Sequence, residues 1–123
     1  MNSNIQRLSS MLGMCARARK IIHGIPLIRK ALRSASPPKL VLYSHTASQN
    51  SKKRITDKCI YYRVQSIEIP LGTDELARCT GKSGAVAAVG ITDDGLARAV
   101  LGLIPEDHTT NLDNAQAADS TIH

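Results

Sequence analysis

Three short β-rich runs, KLVLYS (39–44), VQSIEI (64–69) and AVAAVGIT (85–92), alternate with segments whose apolar residues recur every three or four positions. No other feature of the chain constrains its fold as strongly. A strand flanked by amphipathic helices buries itself by receiving them on its faces, so the alternation predicts an α/β sandwich. The run 85–92 is small, apolar and β-branched throughout, which predicts a strand covered on both faces. With 123 residues there is room for one ordinary core.

The remaining elements follow from local signals. Ile5, Leu8, Leu12 and Cys15, with Met11 alongside, predict a first helix over 5–18. Residues 20–23 form a short apolar stretch suited to a small strand. Gly24 opens a second helix with Pro26 in its first turn, where a missing N–H costs nothing, Leu27, Ile28, Ala31 and Leu32 are expected as its buried stripe, and Ser36-Pro37-Pro38 stops it. Ile55, Cys59 and Tyr62 mark the buried face of a helix over 48–62. A short helix begins near Gly72, with Thr73 placed to cap it, Gly81-Lys82-Ser83-Gly84 is a turn, and Asp93 or Asp94 caps a last helix through Leu101. One domain over 1–104 is expected, followed by a polar, acidic and disordered tail over 105–123.

Charge is placed unevenly along the chain. Residues 1–67 carry 13 Lys or Arg and one acid, Asp57, for a net +12, whereas residues 68–123 carry 3 basic residues and 9 acids, for a net −6. A field this lopsided draws a polyanion to one part of the surface, and neutralising phosphate is its commonest use. Solubility alone is the bland alternative. The only aromatic residues are Tyr43, Tyr61 and Tyr62, too few rings for folds that read single strands on an aromatic sheet. No apolar run approaches the ~20 residues of a membrane span and the first residues lack the order of a secretory signal, which predicts a soluble, cytoplasmic protein that contacts no membrane.

Enzymatic and metal chemistry find little support in the residues. Gly81-Lys82-Ser83 invites comparison with a nucleotide phosphate loop, but the glycine required ahead of it falls on Leu76, inside a helix. His23, His45, His108 and His123 are too scattered for a metal site, and His23 and His45 read as solvated or hydrogen-bonded residues at element ends. Cys15, Cys59 and Cys79 contain no C-x-x-C pair and read as small buried hydrophobes. Asp74-Glu75 and Asp93-Asp94 sit at helix starts, where they favour the dipole. No catalytic residue, cofactor or metal is therefore expected. Gly24 permits close approach to a phosphate, and Arg29, Lys30 and Arg33 flank it. Lys52, Lys53 and Arg54 lie early in a helix, against the unfavourable end of its dipole, and a cost of that kind suggests a use.

Three segments resemble the ribosomal L-seven-Ae superfamily, and within it the small bacterial YlxQ-type members. They are 11–20 (MLGMCARARK) with Gly24 and Lys30, 47–62 (ASQNSKKRITDKCIYY), and 75–81 (ELARCTG) leading into 85–92. The resemblance covers about residues 4–101. It implies a three-layer α/β/α sandwich, here with a central mixed sheet of about four strands, and a non-enzymatic, ribosomal-protein-like RNA binder, often of kink-turns, which are sharply bent duplexes. Structured RNA, with ribosomal RNA and the ribosome among the candidates, is the implied partner of a monomer.

The family motif Gly-x-Asn-Glu-x-x-Lys falls on Gly24 to Lys30, where Pro26 occupies the Asn position and Leu27 the Glu position. Phosphate and dipole contacts survive that change, while direct base readout is weakened. The family's neighbouring loop falls on Lys82, Ser83 and Gly84, with Ala85 and Val86 as an apolar lip. The expected RNA-binding set is thus Gly24, Pro26, Leu27, Arg29, Lys30, Arg33, Lys52, Lys53, Lys82, Ser83, Gly84, Ala85 and Val86. Two other readings compete: a protein-interaction scaffold of the translation machinery, using the acidic half, and an RNA-positioning fragment of a methyltransferase, for which the chain has no cofactor-binding half.

Overall fold

A computed structural model describes residues 3–104. The expected tail over 105–123, with His108 and His123, lies outside the described residues. The elements run α1 (Ser3–Arg17), β1 (Ile21–His23), α2 (Ile25–Leu32), β2 (Leu40–Ser44), α3 (Gln49–Tyr61), β3 (Ser66–Ile69), α4 (Thr73–Cys79), β4 (Ala88–Ile91) and α5 (Asp94–Leu101).

The four strands form one mixed sheet in the order β1-β4-β2-β3. β4 runs antiparallel to both β1 and β2, and β3 runs parallel to β2. β1, β2 and β3 therefore point the same way and end along one edge of the sheet, the edge at which β4 begins. α2 and the connections to α3 and α4 all depart from that edge, and the 80–87 loop arrives there.

Strand alternation builds the layers. On β2, Leu40 and Leu42 face one way and join Leu8, Leu12, Cys15, Leu76, Ala97 and Val100 beneath α1, α4 and α5. Val41 and Tyr43 face the other way and join Ile28, Leu32, Ile55 and Cys59 beneath α2 and α3. The α/β/α sandwich is thus two apolar layers back to back across the sheet. β4 presents only Ala88 and Gly90 to α2. A Cβ on Gly90 would lie 3.2 Å from Pro38 Cβ and 3.6 Å from Ile28 Cγ1, so the missing side chain sets how closely α2 approaches.

Most boundaries agree with the sequence to within a few residues, and two details differ. Gly72, not Thr73, is the N-cap of α4; its N–H donates to the Glu75 carboxylate at 2.7 Å, and the Thr73 N–H donates to Thr46 Oγ1 at 3.0 Å. β4 begins at Ala88 rather than Ala85, because Val86 donates to the Thr73 carbonyl at 3.0 Å and Ala85 stays exposed in the loop. Asp93 caps α5 by accepting the Leu96 N–H at 2.9 Å. Cys15 and Cys59 are fully buried and Cys79 is half-buried. Burial raises the Cys59 thiol to about 12, so it behaves as a core hydrophobe.

Candidate nucleic-acid interface

Gly24 is the hinge of the candidate site. It adopts φ 91° and ψ 148°, a conformation almost confined to glycine, and so turns the chain from β1 into α2 in a single residue. Its N–H donates to the Ala88 carbonyl at 2.9 Å and its carbonyl accepts the Ile28 N–H at 3.0 Å. No side chain caps the first turn of α2, so its positive end is left uncovered by side-chain acceptors, although Pro26 takes one N–H donor away from it. Pro26 is exposed, and Leu27, expected in the buried stripe, is 56% exposed because Ile28 and Leu32, one turn apart, are the residues α2 turns to the core; an apolar surface thus stands where a polar pair would read base edges.

The 80–87 loop sits beside this turn because its last residues are pinned. The Ala87 carbonyl accepts the Ser44 N–H at 2.8 Å, and the Val86 N–H reaches Thr73. Gly81 and Gly84, at φ 82° and 84°, let the segment between them swing outward, and Lys82, Ser83, Gly84 and Ala85 are exposed at its tip. Val86 is only 8% exposed and belongs to the core, which leaves Ala85 as the apolar lip. Sheet topology thus brings Gly24, Pro26 and Leu27 to the same edge as Lys82, Ser83, Gly84 and Ala85.

The basic side chains divide into free and paired. Lys30, exposed on the second turn of α2, has no acidic partner among the described residues, and neither does Lys82. Arg29 is half-buried, with its Nε buried and without a hydrogen-bond partner. Arg33 caps the far end of α2, roughly 13 Å from Gly24 along the axis at the usual helical rise, and so lies away from the turn. Lys52, largely buried, is 3.5 Å from Glu68 on β3, and Lys53 is 3.0 Å from Asp57 one turn along α3. These two pairs answer the dipole cost noted from the sequence. Ser48 caps α3, its hydroxyl accepting the Ser51 N–H at 3.0 Å.

Two features of the edge escape a reading of the sequence. His23 ends β1 as the hydrogen-bonded rather than the solvated of the two readings, and what the sequence did not show is that its Nε2 is buried and unpartnered. Burial, and after it the nearby Lys82 charge, hold its imidazole below the usual value, while a hydrogen bond with the Thr80 backbone acts the other way. Its position one residue before Gly24 is the only signal the sequence offers. Ser44 is fully buried, donates to the Leu71 carbonyl at 2.6 Å and accepts the Thr46 N–H at 3.1 Å. Thr46 Oγ1 then receives Thr73, so a chain of short polar contacts holds the departing loops in register. Among the acids, Glu75 and Asp93 are committed to helix starts. No group of three or more His, Cys, Asp or Glu among the described residues is arranged to hold a metal, and none of the described helices is long and apolar enough to cross a membrane.

The chain is 39% identical over 94 residues to the RNA-binding protein YlxQ of Bacillus subtilis (strain 168), covering 76% of this chain and 91% of that protein. It is 34% identical over 101 residues to the RNA-binding protein YlxQ of Enterococcus faecium, covering 82% and 94%. A solved Bacillus halodurans protein of unknown function superposes with a TM-score of 0.72 at 30% identity, covering 79% of this chain and 95% of that one. The Giardia lamblia 15.5kD RNA binding protein superposes with a TM-score of 0.66 at 17% identity, covering 84% and 86%, a likeness of fold. The sequence profile of the Ribosomal protein L7Ae/L30e/S12e/Gadd45 family matches residues 6–101. The chain therefore belongs to that family, as a bacterial member of the YlxQ type.

Proposed function

We propose that this protein binds structured RNA through the sheet edge where α2 begins, without catalysing a reaction, and that a bent, kink-turn-like duplex, in ribosomal RNA or elsewhere on the ribosome, is its ligand. The observation that carries this reading is the Gly24–Ala88 hydrogen bond, which sets the uncapped start of α2 beside the exposed 82–85 loop. Lys30 and Lys82 bring unpaired positive charge to either side of that junction. Family membership and the RNA-binding names of its YlxQ relatives support the same class of ligand.

Pro26 and Leu27 define the mode. Neither side chain hydrogen-bonds a base edge, so recognition rests on phosphates, on the helix dipole and on the shape that presents an unstacked base to an apolar surface. The test is a titration of a bulged duplex with tandem G·A pairs against a straight duplex of equal length, across a salt series. Preference for the bent RNA with a steep loss of affinity at higher salt is expected. Equal binding of both, or binding insensitive to salt, contradicts the reading. Sequencing of RNA crosslinked to the protein in cells then identifies the element, and ribosomal RNA is the expected enrichment.

A further inference from the structure

On the opposite face of the sheet from α2, directly behind the Lys82 loop, a groove of about 370 Å³ is lined by Gly13, Ala16, Arg17, Arg78, Thr80 and Gly81. Gly13 forms part of its wall. Gly13 is buried in the middle of α1, a position that a poor helix former does not occupy without a packing reason. A Cβ there would lie 3.1 Å from the Cys79 carbonyl oxygen and 3.4 Å from Arg17 Nη1. The absent side chain lets α1 touch the end of α4 and lets the Arg17 guanidinium lie back over its own helix, into the groove.

Arg78 enters from the facing helix and forgoes an available partner to do so. Asp74, four residues earlier on α4, stands where a helical ion pair would form, and no such pair is made. Glu75, three residues earlier, spends its carboxylate on the Gly72 N–H. Arg17 likewise has no acidic partner among the described residues. Each arginine lies in the last turn of its helix and so favours that helix's dipole. The dipole accounts for each arginine singly, and the packing of α1 on α4 then brings both, without acidic partners, to the lining of one groove. Both side chains are exposed, so the groove offers an incoming anion two guanidinium groups, and the planar guanidinium fork matches a phosphate.

We propose that this groove binds a backbone phosphodiester of the same RNA, clamped between Arg17 and Arg78. The RNA would then pass the exposed tip of the 81–84 loop and continue onto the α1–α4 face. Gly81 joins the two regions, since it lines the groove and starts the loop that carries Lys82. Arg19 and Lys20 are exposed just past α1. The proposal rests on the RNA-binding reading and enlarges its footprint from one face of the sheet to both.

The test uses the full chain and the bulged duplex above, comparing wild type with Arg17→Gln/Arg78→Gln and with Arg17→Lys/Arg78→Lys. The glutamine pair should bind about tenfold or more weakly, with a salt slope shallower by roughly two phosphates' worth, and should melt close to the wild-type temperature. The lysine pair should keep the slope and lose part of the affinity, because charge survives and the fork does not. If wild type binds while the glutamine pair keeps its affinity and slope, this groove is not a phosphate site and the α2 edge stands alone. If wild type fails to bind, the RNA-binding reading and this proposal fall together.

Discussion

The Gly24 N–H reaches the Ala88 carbonyl at 2.9 Å, and this bond ties the turn that opens α2 to the strand fed by the 80–87 loop. Both halves of the candidate interface are thereby fixed to the same edge of the sheet. Replacing Gly24 by alanine forces a side chain into φ 91°, ψ 148° at a cost of order 1–3 kcal/mol. The expected outcome is a fall of that size in urea unfolding free energy together with weaker RNA binding. A Gly24→Ala chain with wild-type stability and affinity contradicts the role assigned to this turn.

Lys30 and Lys82 are unpaired, while Lys52 and Lys53 face Glu68 and Asp57. Lys30→Ala and Lys82→Ala should each weaken RNA binding and reduce the salt slope by about one, with no change in melting temperature. Lys52→Ala should hardly alter the slope and should change stability by about 0.2–1 kcal/mol, the range of an ion pair near the surface. Equal effects of Lys30→Ala and Lys52→Ala on the slope would place the interface along α3 instead.

Buried Ser44 satisfies the Leu71 carbonyl and the Thr46 N–H together. Ser44→Ala leaves both without that partner, and denaturant melts should register a loss of about 1–3 kcal/mol. Since the same contacts hold the loops in register, amide exchange around 71–73 should quicken. A neutral substitution with unchanged exchange would show that the network does not hold this edge.

His23 gives stability a pH dependence of defined sign. Burial, with Lys82 second, keeps its imidazole below the ordinary value of 6.5, so the folded protein holds it neutral where the unfolded chain begins to take up a proton. Its contribution is complete above pH 6.5, declines as pH falls through that value, and levels off below the folded-state value. Between pH 7.5 and 5 the melting temperature of wild type should therefore fall further than that of His23→Gln. Parallel profiles for the two proteins would remove His23 from the account.

How much of this was legible in the sequence depends on the range of the forces involved. Local signals read well: Pro26 in the first turn of α2, Ser36-Pro37-Pro38 after it, and the two-sided burial of 88–91 follow from backbone sterics and apolar pattern. Contacts distant along the chain did not. Val86 looks like loop apolar surface until the Thr73 carbonyl draws it into the core, and Thr73 looks like a cap until Gly72 takes that position with its N–H on the Glu75 carboxylate. Lys52 and Lys53 read as two more cations for a polyanion, whereas Glu68 on β3 and Asp57 on α3 already attend them. The same holds for Arg17 and Arg78, 61 positions apart, which only the packing of α1 on α4 makes neighbours of one groove.

Where the RNA sits is read from amide chemical-shift mapping of the labelled protein with a bulged RNA duplex. The largest shifts are expected at Gly24, Ile25, Leu27 and Lys30 and at Lys82 through Ala85, growing with added RNA and reversed by salt. Shifts confined to α5 and the outer face of α3, with residues 24–30 and 82–85 unmoved, would contradict this placement.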